Sequence, residues 1–277
     1  MLSIALVQLF SKSDNVLTRD KSIGIIEVQG LIIDSAETIK QIQYVKDNEN
    51  IKAIVLRIDS PGGVVGPTQE IYEEVKKLKK IKPVIVSMGS VAASGGYYIA
   101  APANKIFANP GTITGSIGVL MKLANFQDLM TKVGIKSIVL KSGEFKDTGS
   151  PVRPLSSQDK KILEGVIESM YGQFIAAVAE GRKLPLEEVK VLADGRIYTG
   201  EQALDNKLID TLGNLQDAVD EAANIVGIKE KPEIVYPPKP KRNLFDLLVE
   251  GVSENVVKAF KTETGLYESF EFSLKTL

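Results

Sequence analysis

Between residues 22 and 228, short β-branched runs alternate with longer stretches of helical period, and that alternation confines the chain to an α/β architecture. Residues 23–33 read as one or two strands, 36–47 as a helix, and 51–58 as a nearly all-apolar strand of the kind that is buried on both faces. Residues 67–80 continue as a helix with Ile71, Val75 and Leu78 on one side, 83–88 as another buried strand, and 94–101 as a helix that opens on small residues. Residues 135–140 form a further strand, and 156–181 a long helix for which Ser156-Ser-Gln-Asp supplies the cap. Stacked β-β-α units are the expected repeat, with residues 22–228 as the main domain.

The flanks differ in composition. Residues 2–10 are apolar, but a helix that spans a bilayer needs about twenty such residues. The segment 1–21 is therefore expected to be a first core element or the remnant of a longer anchor. Residues 229–242 carry four prolines and a cluster of lysines, which reads as an extended linker. Leu244, Leu248, Val252, Val256 and Phe260 then recur every four residues, the pattern of an amphipathic helix within a 229–277 extension. That helix is expected to pack on the body or on a neighbouring subunit, with contact to a membrane surface as the alternative.

The chain has 277 residues, no histidine and no cysteine. The missing histidine excludes Ser-His-Asp and Cys-His chemistry and zinc sites built on imidazole, and the missing cysteine excludes disulfides and thiolate catalysis. A serine-lysine pair remains open to a hydrolase. With 34 Lys and Arg against 35 Asp and Glu, no global field attracts nucleic acid.

Four segments bear chemistry. Arg57-Ile-Asp-Ser-Pro-Gly-Gly63 ends a buried strand in flexible backbone, which makes either a plain turn or the ligand-binding edge of an open sheet. Ser94 precedes Gly95 and Gly96 at a helix start, where it is either an ordinary cap or a nucleophile beside backbone N–H groups that favour a developing oxyanion. The two glycines forfeit helix propensity that a bare cap would have no reason to forfeit.

Lys146, in Gly143-Glu-Phe-Lys146-Asp147, is the candidate base. An ordinary lysine has a pKa near 10.4, so only about one in 2,500 carries the neutral amine at pH 7. The site must desolvate it; Phe145 helps, and Asp147 hinders unless it points away. The run Asn109-Pro-Gly-Thr-Ile-Thr-Gly-Ser116-Ile-Gly118 follows a strand and offers Ser116, whose hydroxyl either orients the lysine without charging it or bonds its own backbone.

Taken together, Asp59-Ser-Pro-Gly-Gly63, Ser87-Met-Gly-Ser-Val-Ala-Ala-Ser94-Gly-Gly-Tyr-Tyr98, Thr114-Gly-Ser-Ile-Gly118, Phe145-Lys146-Asp147 and Asp194-Gly-Arg-Ile-Tyr-Thr-Gly200 closely resemble the signal peptide peptidase A family. The resemblance implies a serine-lysine peptidase on the Clp protease/crotonase-like fold, with Ser94 as nucleophile, Lys146 as general base, Ser116 orienting the lysine, and Gly62 and Gly95 donating amides to the oxyanion. It also implies Ser and Lys from one repeat, and a homo-oligomeric ring that is membrane-associated with an extracytoplasmic catalytic domain. Its substrates would be remnant signal peptides and other unfolded apolar peptides, with no cofactor or metal. Residues 117–120, apolar and next to the site loops, are expected to receive the peptide by strand addition. The competing readings are a crotonase-like acyl-CoA enzyme, disfavoured because no paired glutamate is on offer, and a non-catalytic ring scaffold of the same fold.

Overall fold

The computed structural model describes residues 22–238. The two flanking expectations, the apolar start and the helix around 244–260, lie outside the described residues.

Parallel strands build the domain. β1 (Ser22–Gln29), β2 (Ile51–Ser60) and β3 (Val84–Ala93) pair in register, with Leu56 between Ile26 and Val86. Because alternate side chains face opposite ways, Ile54, Leu56 and Ile58 enter one core while Ala53 and Val55 enter another. All five are essentially fully buried, which explains the near-continuous apolar run. The larger core lies under α1 (Ala36–Asp47), α2 (Val65–Leu78) and α3 (Gly95–Ala100). Ile71, Val75 and Leu78 of α2 are buried in it as the helical period predicts.

β3 changes neighbour partway along. Its first half, Ile85–Ser87, pairs with β4 (Lys105–Ala108), and its last residues, Val91–Ala93, pair with β5 (Ile113–Gly115). Asp59 stabilises the fork, since its Oδ1 accepts the Val91 N–H at 3.1 Å. Further along the chain come α4 (Gln127–Lys132), α5 (Ser157–Arg182) and α6 (Leu186–Leu192). β6 (Ile197–Thr199) closes one sheet edge antiparallel to β5 and is followed by α7 (Gly200–Asp205). β7 (Thr211–Leu212) pairs with β4, and α8 (Leu215–Ile225) covers the second face.

α5 is the longest element. Ser156 and Asp159 form a reciprocal capping box at its start, with Asp159 N–H bonded to Ser156 Oγ and Ser156 N–H to Asp159 Oδ2, both at 3.0 Å. Its second half brings Phe174, Ile175, Ala177 and Val178 into the core, whereas Ile162 and Val166 in its first half stay exposed. Among the described residues it is the one helix long and apolar enough, by length and composition, to cross a membrane.

Two expectations change. Residues 135–140 are not a strand; they run without regular structure, and Ile138 and Leu140 are 85% and 94% exposed. Their apolar, β-branched run pairs with no strand of the sheet, whose path runs from β6 to β8. Conversely, the proline-rich stretch is not all linker: β8 (Glu233–Val235) pairs in parallel with Ser22–Gly24 of β1. Pro232 and Pro237 flank this edge strand, where a missing N–H costs least.

Candidate active site

The fork in β3 aims its last residue at α3. Ser94 sits at that junction with φ 52° and ψ −119°, a conformation that costs a non-glycine residue about 1–3 kcal/mol. Its N–H bonds to Gly115 O at 2.8 Å and its carbonyl accepts from Tyr98 N–H at 2.9 Å, so the backbone is fixed on both sides. The hydroxyl makes no capping bond, although Ser94 occupies the cap position. Of the two readings open to a serine there, the cap falls away.

The Ser-Pro-Gly-Gly loop lies against this junction. Ile32 bonds to Gly62 O at 2.9 Å and, through its own carbonyl, to Val64 N–H at 2.7 Å, which turns the Gly63 amide away from Ile32. A Cβ on Gly63 would meet Ile32 O at 1.9 Å, and one on Gly95 would meet Thr68 Oγ1 at 2.8 Å and Gly63 N at 3.2 Å. Only glycines permit this approach, which brings the Gly63 amide nitrogen close to Gly95, the residue after Ser94. Gly62, one residue earlier, already donates its N–H to Ser60 Oγ at 3.1 Å. Gly62 therefore shapes the loop, and Gly63 is the amide without an acceptor among the described residues.

Ser116 stands beside Ser94. Ala93 pairs with Gly115 in register and the Ser94 N–H bonds to the Gly115 carbonyl at 2.8 Å, so the two serines follow adjacent strand ends. Ser116 also has positive φ, 49°, and its N–H bonds to Arg196 O at 2.8 Å. This contact accounts for the Asp194-Gly-Arg block: Arg196 is paired with Asp194, and β6 carries its carbonyl to Ser116.

A small cavity of about 30 Å³ lies next to Ser94, lined by Val65, Thr68, Tyr98, Val119, Met170 and Phe174 among others. Every side chain in that set except the threonine hydroxyl and the tyrosine tip is apolar. The hydroxyl of Thr68 is committed to Val64 O at 2.8 Å. The cavity accepts a small aliphatic group in preference to a charged one.

Lys146 is elsewhere. It lies in the turns of residues 142–149, exposed, and its ammonium bonds to nothing among the described residues. Thr148, two residues on, donates to Asp159 Oδ1 at 2.8 Å, which ties the turn to the start of α5. Met170 at the cavity is eleven residues further along that helix, about 16 Å at 1.5 Å per residue. A lysine side chain reaches about 6 Å. Lys146 is not among the residues that line the cavity beside Ser94, and among the described residues no hydrogen bond joins the two side chains. Phe145 is 43% exposed and gives it no apolar wall, while Asp147, the awkward neighbour, is held by Arg153 and Lys141.

A mostly parallel sheet that ends a central strand in a strained serine is the arrangement of Clp protease-like enzymes, and residues 13–113 match the Clp protease family model. Residues 76–229 match the model of Peptidase family S49, and the chain belongs to that family, which includes the signal peptide peptidase A proteins. It is 42% identical to a candidate protease of Synechocystis sp. over 92% of this chain and 93% of the relative. Identity to a candidate signal peptide peptidase SppA of Enterococcus faecium is 37%, covering 73% of this chain and 62% of that protein. The chloroplastic serine protease SPPA of Arabidopsis thaliana is 34% identical over 88% of this chain, which spans only 36% of its length. The chain is thus a peptidase of the S49 family.

Sequence reasoning missed the Gly63 amide, the cavity residues Met170 and Phe174, and the Arg153 contacts. Met170 and Phe174 share a helical face with Ile167 and Tyr171, but that pattern looks like ordinary core. Gly63 was visible only as the second half of a Gly-Gly pair.

Proposed function

We propose that this protein is a serine endopeptidase in which Ser94 attacks the scissile carbonyl and Lys146 of a neighbouring copy acts as general base. Its substrates are remnant signal peptides and other unfolded apolar peptides. The observation that carries the reading is Ser94 itself: a strained, uncapped hydroxyl beside the Gly63 and Gly95 amides, for which no acceptor is found among the described residues.

The Lys146 amine takes the Ser94 Oγ proton as Oγ bonds to the carbonyl carbon. The Gly63 and Gly95 N–H groups receive the oxyanion, with Gly62 fixing the loop that presents them. The ammonium then returns its proton to the leaving amine, and water hydrolyses the acyl-enzyme by the same route. Ser116 orients the incoming amine from the adjacent strand end. The Val119 and Met170 cavity holds the side chain at the cut, and residues 117–120 lend unpaired backbone to the peptide.

The separation of about 16 Å along α5 supports a base delivered between copies, and a homo-oligomeric ring supplies it. The exposed apolar side chains of the arm, residues 119–155, with Leu120, Leu129, Ile138 and Leu140 among them, and Ile162 and Val166 on α5 are the surface such a ring covers. The names of the relatives support a membrane-associated location. A fluorophosphonate probe tests the nucleophile: Ser94 is labelled and Ser94→Ala is inactive but folded, whereas labelling of Ser90 or Ser116 overturns the assignment.

A further inference from the structure

The two residues that follow Lys146 are both tethered by their side chains. Arg153 grips Asp147 with both prongs, Nε to Oδ2 at 2.9 Å and Nη2 to Oδ1 at 3.0 Å, and also reaches the Asp147 carbonyl at 3.2 Å. The same guanidinium bonds both oxygens of Asp159, the capping residue of α5, which is 1% exposed. Asp159 in turn accepts the Thr148 hydroxyl at 2.8 Å, and Lys141 adds a 2.7 Å bond to Asp147. Two cations and two carboxylates balance, so the cluster leaves no net charge beside Lys146.

An isolated surface pair is worth about 0–1 kcal/mol and does not need a planar fork shared between two carboxylates and a main-chain carbonyl. A carboxylate adjacent to a general base does need an occupation. Left free, Asp147 pairs with the Lys146 ammonium and holds it charged, which removes the base. We propose that Arg153 is the positioning residue of the general base: it clamps the 142–150 turn onto the start of α5 and keeps the Asp147 carboxylate away from the Lys146 amine. This rests on the Ser94–Lys146 reading.

Arg153 and Lys141 hold the Asp147 carboxyl well below the usual carboxylate range, and Arg153 with the Ser156 backbone N–H does the same for Asp159. Both stay ionised wherever the enzyme works, so the clamp does not itself switch with pH. The other charged groups on the packed elements are Glu144 on the turn, Lys122 on the incoming arm, and Lys160 on α5, which pairs with Glu164 at 3.6 Å. None of these is bonded to the Asp147 or Asp159 carboxylate, which leaves Arg153 and Lys141 as the control.

The test is the pH profile of kcat/KM on an unstructured apolar peptide for the full chain and for Arg153→Met, Asp147→Asn, the double variant and Lys146→Ala. Arg153→Met is expected to lower kcat/KM about 10- to 100-fold and to move the alkaline-rising limb up by about one pH unit, because the freed Asp147 captures the amine. Asp147→Asn loosens the turn without moving the limb upward, and the double variant returns the limb to its wild-type position. If Arg153→Met does not fold, Asp147→Asn decides alone: a limb that moves upward in it overturns the proposal. An Arg153→Met enzyme that keeps the wild-type limb, or a double variant that does not restore it, also overturns it. Activity retained in Lys146→Ala sinks the dyad reading instead, so the two failures are told apart.

Discussion

Mixing two dead variants tests whether the base crosses between copies. Thr148 anchors the Lys146 turn to Asp159, and Met170 at the cavity lies three helical turns away. At 1.5 Å per residue that is about 16 Å, against about 6 Å of lysine reach. The two residues from Lys146 to Thr148 extend that reach by at most about 7 Å, which still favours a base from a neighbouring copy. Ser94→Ala and Lys146→Ala should each be inactive. When they are unfolded, mixed in equal amounts and refolded together, a site is productive only where an intact serine meets an intact lysine from the adjacent copy. With random assembly that is about a quarter of the sites, so the mixture should recover about 25% of wild-type turnover. The assay is hydrolysis of a fluorogenic apolar peptide, normalised to protein, with each variant refolded alone as control. A refolded mixture as inactive as its parents, in protein that light scattering shows to be assembled, refutes the inter-copy base and requires the arm to fold back on its own Ser94.

Three further outcomes follow from particular contacts. Ser94→Gly should melt higher than Ser94→Ala by the equivalent of about 1 kcal/mol, because only glycine relieves φ 52°; equal melting temperatures would show that the residue is not strained. Met170→Ala should shift cleavage toward larger side chains at the cut, changing the kcat/KM ratio for leucine over alanine about 10-fold, as read by product mapping. Stability should also fall in acid: with the folded Asp159 carboxyl held below its unfolded value near 3.9, the capping box contributes fully above about pH 4 and is lost as pH falls toward the folded value. Thermal melts from pH 7 down to 2 should show a larger loss in the wild type than in Asp159→Asn, which starts lower at neutral pH and keeps only the contributions of other carboxylates such as Asp147.

The buried centre of the fold was legible because both faces of its strands are covered. Ile54, Leu56 and Ile58 fill one core while Ala53 and Val55 fill the other, and no polar alternation interrupts the run. Residues 135–140 were not, because their apolar, β-branched run reads as a strand although it pairs with no strand of the sheet. β8 was hidden for the opposite reason: three residues between prolines give too short a run for any periodicity. At the site, Ser94 and Ser116 stood out through their glycine neighbours. The placement of the Lys146 turn at the start of α5 did not, since spacing along the chain carries no information on how a 26-residue helix is laid out in space.

That helix also imposes a counting rule. Asp159 and Met170 are separated by eleven residues, which at 100° each is within about 20° of three full turns. The anchor of the lysine turn and the wall of the serine's cavity therefore share one stripe of α5. One inserted residue between them would swing the anchor about 100° around the axis while adding only 1.5 Å of length. The length of this interval is thus fixed by angle far more tightly than by distance, and chain variants of this enzyme should gain or lose residues there in near-whole turns of four or eleven.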